Sequence, residues 1–111
     1  MGTVAVLDGR SYASQSVSET PFLHTGGYSW QVRLPADLAA KCDDMCHADR
    51  SPWRLLEDDK LLGPPHAIHM DIADVGGGRY SHWQDYLCFS TPDNSDPNWN
   101  GRHYALAETL L

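Results

Sequence analysis

The sequence predicts a single, mainly-β domain, a sandwich or a partly open barrel with one or two short helices. Three observations carry that expectation. Short β-prone runs recur along the chain, each closed by turn chemistry. Tyr28 to Leu34 alternates Tyr28, Trp30, Val32 and Leu34 against Ser29, Gln31 and Arg33, the period of two of a half-buried strand. At 111 residues the chain is long enough for one core and too short for two, so positions 1–111 read as one unit.

Thr3 to Leu7 reads as a strand closed by Asp8-Gly9, a strong turn dipeptide. The serine-rich segment after it, residues 11–20, anchors only Tyr12 and Val17, so residues 1–27 are expected to include an irregular or edge-strand stretch. Pro35 ends the alternating strand. From Asp37 to Cys46, Leu38, Cys42, Met45 and Cys46 fall at helical spacing behind an acidic first turn. Trp53 to Glu57 and Lys60 to Leu62 flank Asp58-Asp59 as a tight hairpin lacking the usual glycine. His66 to Val75 fits both periods, and Pro64-Pro65 before it with Gly76-Gly77-Gly78 after it favours a short helix. Arg79 to Trp83 and Tyr86 to Ser90 form a hairpin around Gln84-Asp85, followed by an Asn/Asp/Pro loop and a last strand from Arg102 to Leu106.

Charge and cysteine usage narrow the function. Eight basic against fifteen acidic residues give a formal charge of −7, which repels phosphate backbones and anionic membrane surfaces on average. Neither nucleic acid nor a membrane is an expected partner. No stretch approaches the ~18 apolar residues of a membrane span, and three cysteines leave one over in any disulfide scheme. A soluble, cytoplasmic protein with reduced thiols is the expectation.

Candidate chemistry is diffuse. His66-x-x-His69-x-Asp71 offers two imidazoles and a carboxylate, but a helix or a strand each brings only two of the three together. Cys42-x-x-x-Cys46-His47 reads as two core-facing thiols on a helix, since sulfurs there would need ligands from elsewhere, such as His24 or Cys88, to hold zinc. Ser81 and His82 point to opposite faces of a strand and cannot pair with each other as nucleophile and base. Asp43-Asp44 and Asp58-Asp59 read as solvated charges. The Gly76-Gly77-Gly78 run precedes a strand rather than a helix and so lacks a phosphate cradle.

Gly76 to Tyr104 is richer, with two tryptophans, three tyrosines and two histidines beside a run of Asp and Asn. Rings offer flat apolar faces for the C–H faces of a sugar, and the polar side chains supply directional hydrogen bonds to hydroxyls. The expected contact set is Arg79, His82, Trp83, Asp93, Asn94, Asp96, Trp99 and Arg102, with the two arginines as anchors for an acidic sugar. Residues 93–98 supply oxygens for calcium or close on themselves as Asx-turns, and their spacing, unlike that of an EF-hand, favours the turns. The reading is a non-catalytic, lectin-like carbohydrate-binding module without a cofactor. The alternatives are a metal-dependent enzyme, with His66, His69 and His82 holding zinc and Asp71 or Asp85 as base, and a partner-binding domain that forms a homodimer.

Leu55-Leu56-Glu57-Asp58, Leu62-Gly63-Pro64, His66, the run Gly76 to Trp83, the run Phe89 to Pro97 and Asn100-Gly101-Arg102 together resemble a small module associated with bacterial glycosyltransferases and methyltransferases of surface-polysaccharide synthesis. The resemblance spans Trp53 to Tyr104 and implies a glycan-related setting. It departs from the module's pattern in Gln84, where a glycine would ease the turn, and in the added Trp99.

Overall fold

The computed structural model describes residues 3–7, 10–18, 20–39, 42, 43, 45 and 51–109. The expected Asp8-Gly9 turn and the Cys46-His47 half of the cysteine cluster lie outside them. Nine strands among the described residues form two sheets with antiparallel ladders. The first sheet has the order β1 (Thr3–Leu7), β2 (Arg10–Ser16), β9 (Tyr104–Thr109), β5 (Arg54–Glu57), β6 (Lys60–Leu61). The second runs β3 (Leu23–Gly26), β4 (Ser29–Arg33), β8 (Tyr86–Phe89), β7 (Tyr80–Trp83). Two short helices, α1 (Ala36–Ala39) and α2 (His69–Asp74), complete a β-sandwich-like domain.

One face of each sheet turns toward the other. Leu55, Tyr104 and Leu106 of the first sheet and Val32, Tyr80, Leu87 and Phe89 of the second share one buried cluster with Phe22, Leu34 and Leu38. Three rings lock it: Phe22 meets Phe89 edge-on at 5.0 Å between centroids, and Phe89 lies 5.2 Å from Tyr104. The strict alternation along β9 sends Ala105 and Ala107 to the opposite face, where they bury with Leu56. Small side chains suit that second, thinner contact.

Several elements follow local chemistry closely. Asp58 and Asp59 both take positive φ (47° and 67°), so the β5–β6 hairpin turns through two aspartates in the conformation usually given to Asn-Gly. Gln84 does the same work at φ 53° between β7 and β8. The helical option for His66 to Val75 prevails from His69 onward, and Gly76 ends the helix at φ 68° with its N–H on the Asp71 carbonyl. A Cβ there would strike the Asn94 side chain. Only Ile72 of the expected Ile68/Ile72/Val75 face is buried.

Three expectations are corrected. The serine-rich segment is not an edge: β2 sits between β1 and β9, hydrogen-bonded on both sides. Backbone pairing places it there without large apolar anchors. The helix expected to run from Asp37 to Cys46 ends at Ala39, because the Asp43 backbone instead joins the edge of β7, donating to the His82 carbonyl and accepting from Gln84 N–H. Asp43 is then 1% exposed rather than a solvated charge.

The β3–β4 turn is pinned to α2, with Tyr28 N–H donating to the Ala73 carbonyl at 2.9 Å. Gly27 sits at φ 53°, and a Cβ at that position would collide with the same carbonyl. Gly27→Ala is expected to destabilise the protein by about 1–3 kcal/mol, through left-handed strain plus displacement of α2. Urea unfolding measures it; an unchanged midpoint would show that the turn and α2 are not coupled.

Candidate functional site

Register decides which side chains of β7 face where. Tyr80 pairs with Phe89 and His82 with Leu87, on the core side; Ser81 pairs with Cys88 and Trp83 with Tyr86, on the outer side that α2 covers in part. His82 is therefore 2% exposed, with Nδ1 at 2.7 Å from Ser51 Oγ and Nε2 buried without a hydrogen bond. Burial pulls its pKa down to about 4, against a smaller opposing pull from Asp43. As a sugar contact or metal ligand, His82 is corrected: it is a neutral core residue.

The outer side carries a cavity of about 360 Å³ lined by His66, Ala67, Ile68, His69, Ser81 and Trp83. The edge of β7 explains how these residues meet. Tyr80 N–H donates to the Pro64 carbonyl and the Tyr80 carbonyl accepts from Ala67 N–H, so the segment carrying His66 is laced beside Tyr80, the residue before Ser81. Asp43 occupies the next stretch of the same edge. Its carboxylate accepts Ser51 N–H at 2.7 Å on one oxygen and meets His66 Nδ1 at 2.6 Å on the other. A carboxylate only accepts, so Nδ1 carries the proton of this bond. His66 itself is held at φ 56°, a sparsely populated conformation for any residue but glycine. The His69 ring abuts the Trp83 indole edge-on, at 6.0 Å between centroids.

The rest of the expected contact set does not converge on Trp83. Trp99 is 87% exposed and lines a separate hollow of about 570 Å³ with Phe22, Pro97, Asn98 and Arg102. The acidic loop closes largely on itself. Asp93 accepts Ser95 Oγ at 2.6 Å and a two-pronged ion pair from Arg102 at 2.9 and 2.7 Å, which holds its carboxyl well below the usual carboxylate range. Asn94 accepts Gly77 N–H, Asp96 accepts Asn98 N–H, and Arg79 donates to the Gly76 carbonyl. These side chains shape turns, as the Asx reading expected, and none of them lines the Trp83 cavity. Local competition explains part of it: the Asp93 and Asp96 carboxylates accept backbone N–H groups two residues on, at Ser95 and Asn98.

The metal-dependent alternative loses its geometry. His66 and His69 share the cavity wall, but His82 faces the other side of β7, and Asp85 is spent on an ion pair with Arg33 at 2.9 Å. No three His, Cys, Asp or Glu side chains among the described residues gather to hold a metal. Cys88 is buried on the outer side, and burial pushes its thiol up to about 11, which makes it unreactive as a thiolate.

Asp43, Ser51 and Ser81 are the site residues that reading the sequence missed. Asp43 and His66 are 23 positions apart, and no local pattern connects them. Only the alternation of β7 was legible, which set Ser81 and His82 on opposite faces. No helix among the described residues is long and apolar enough to cross a membrane. Comparison with protein-family models, with curated proteins and with solved structures found no match.

Proposed function

We propose that the protein binds a carbohydrate, or a glycosylated ligand, in the cavity framed by His66, His69, Ser81 and Trp83. One observation carries the reading: a half-buried indole, an imidazole fixed by a buried carboxylate and an uncommitted hydroxyl share the wall of a hollow of about 360 Å³. That size accommodates a small ligand, and the wall combines an apolar face with a few fixed polar atoms, the composition of a polyol site. Trp83 supplies the face for sugar C–H groups, braced by His69. His66 Nε2 and Ser81 Oγ supply directional hydrogen bonds to hydroxyls. The module resemblance over Trp53 to Tyr104, with its glycan-related setting, supports the same reading. The exposed Ile68 at the rim extends the apolar side of the opening.

A glycan array followed by calorimetric titration of each positive sugar tests the proposal. Trp83→Ala is expected to weaken binding by about 10- to 100-fold, and Trp83→Phe to restore most of it. Trp99→Ala should leave the affinity within about twofold. The opposite pattern would move the site to the Trp99 and Arg102 hollow. No saturable response from any sugar would end the carbohydrate reading.

A further inference from the structure

We infer that this cavity also cleaves acyl esters, with Ser81 as nucleophile and His66 as its base, the substrate class being an O-acylated sugar; the substrate class rests on the binding reading above. Asp43 is the positioning residue. A carboxylate 1% exposed is costly to bury, and here one of its oxygens is spent entirely on His66. The bond fixes both the tilt of the ring and its tautomer, which is what a base needs from a third group. His66 remains 27% exposed and lines the cavity, so the ring is open on its other side.

Ser81 completes the arrangement. It is 3% exposed, lines the same cavity, and its hydroxyl is not committed to a hydrogen bond among the described residues. Tyr80 immediately before it is hydrogen-bonded through both backbone groups to the Pro64–Ala67 segment, which sets His66 alongside. The strained φ of His66 is kept by those two bonds and by Asp43 together. Neither the neighbouring His82 nor the buried Cys88 competes for the role, since one is sealed in the core and the other is held as a thiol.

Ser81 Oγ attacks the ester carbonyl while its proton passes to His66 Nε2. The bond from the carbonyl carbon to the sugar oxygen breaks, and that oxygen leaves with the proton from His66. A water molecule then gives its proton to His66 and attacks the acyl-serine. The carboxylic acid is released, and Ser81 Oγ recovers a proton from His66. The sum is ester plus water to acid plus alcohol, with no metal or redox partner required.

The test is labelling with diisopropyl fluorophosphate, read by peptide mass spectrometry, alongside hydrolysis of p-nitrophenyl acetate and of glucose pentaacetate. The expected result is one adduct per chain on Ser81, lost in Ser81→Ala. His66→Gln, its fold checked by thermal melting, should slow labelling and turnover by about 10²- to 10⁴-fold. Asp43→Asn should lower kcat with KM unchanged, a split that mere loosening of the cavity would not give. Absence of a Ser81 adduct in the folded protein, or equal labelling in His66→Gln, overturns the acyl chemistry while sugar binding to Trp83 stands. Labelling of Ser81 without a saturable response to any sugar overturns the substrate class and the binding reading with it.

Discussion

Phe89→Ala is expected to lower unfolding free energy by about 3–5 kcal/mol, a large share of the about 5–15 kcal/mol that holds a small domain folded. Phe89 is fully buried at the end of β8 and is the ring through which the two sheets interlock, touching Phe22 on one side and Tyr104 on the other. Removing it opens a cavity that neither neighbour fills without leaving its own packing, because Tyr104 Oη is tied to Glu57 at 2.7 Å and Asn100 at 2.9 Å. Phe89→Leu keeps most of the volume and should cost no more than about half as much. Urea denaturation followed by far-ultraviolet circular dichroism measures both. If the alanine variant lost less than about 1 kcal/mol, the sheets would not be held through this contact.

Acidification from pH 7 to pH 4 is expected to remove up to about 3 kcal/mol of stability through His82 alone. Its pKa in the folded protein is about 4 and its ordinary value is 6.5, because burial disfavours the imidazolium. Between those values the unfolded chain takes up the proton and the folded one does not. The contribution is thus complete above pH 6.5, falls steadily to pH 4, and changes no further below it. The Asp93 carboxyl, held low by Arg102 and Ser95, acts in a lower window: its contribution begins to fade only below its ordinary value of 3.8. Unfolding free energies at pH 7, 5.5 and 4 separate the two, and His82→Gln should flatten the upper limb. A wild-type curve flat across that limb would mean that His82 is charged or solvated in the fold.

His82 is also coupled to the segment that orients His66. His82 gives its carbonyl to Asp43 N–H and its Nδ1 to Ser51, while Ser51 N–H in turn holds the Asp43 carboxylate. Protonating His82 therefore loosens the bracket that orients His66. Affinity for the proposed ligand should therefore hold across the upper limb and fall only as the pH nears 4, where His82 in the fold takes up its proton.

How far the sequence reaches differs from element to element. The alternation from Trp30 to Leu34, the β5–β6 turn at Asp58-Asp59 and the β7–β8 turn at Gln84-Asp85 were legible because each depends on residues a few positions apart, whereas Ser29 is buried and Tyr28 exposed, against that alternation. The place of β2 inside its sheet was not, since a strand's neighbours are chosen by partners more than ninety positions away, as Ser14 and Ala107 are. The same limit governs the site. Trp83 could be nominated as a ring near polar groups, but Asp93, Asn94, Asp96 and Arg102 were nominated on composition; Asp93 and Arg102 pair with each other, and Asn94 and Asp96 bond to backbone N–H groups.

By itself, the sequence determined a mainly-β domain, the faces of β7, and the turn chemistry of the acidic loop, because periodicity and short-range hydrogen bonding act within a few residues. Tertiary structure alone decided that His82 is sealed inside and that His66, Ser81 and Trp83 line one cavity, with Asp43 bonded to His66. Strand edges must find partners for their exposed N–H and carbonyl groups. At the edge of β7 those partners arrive from two distant segments, and each brings a side chain that no local pattern could have placed there.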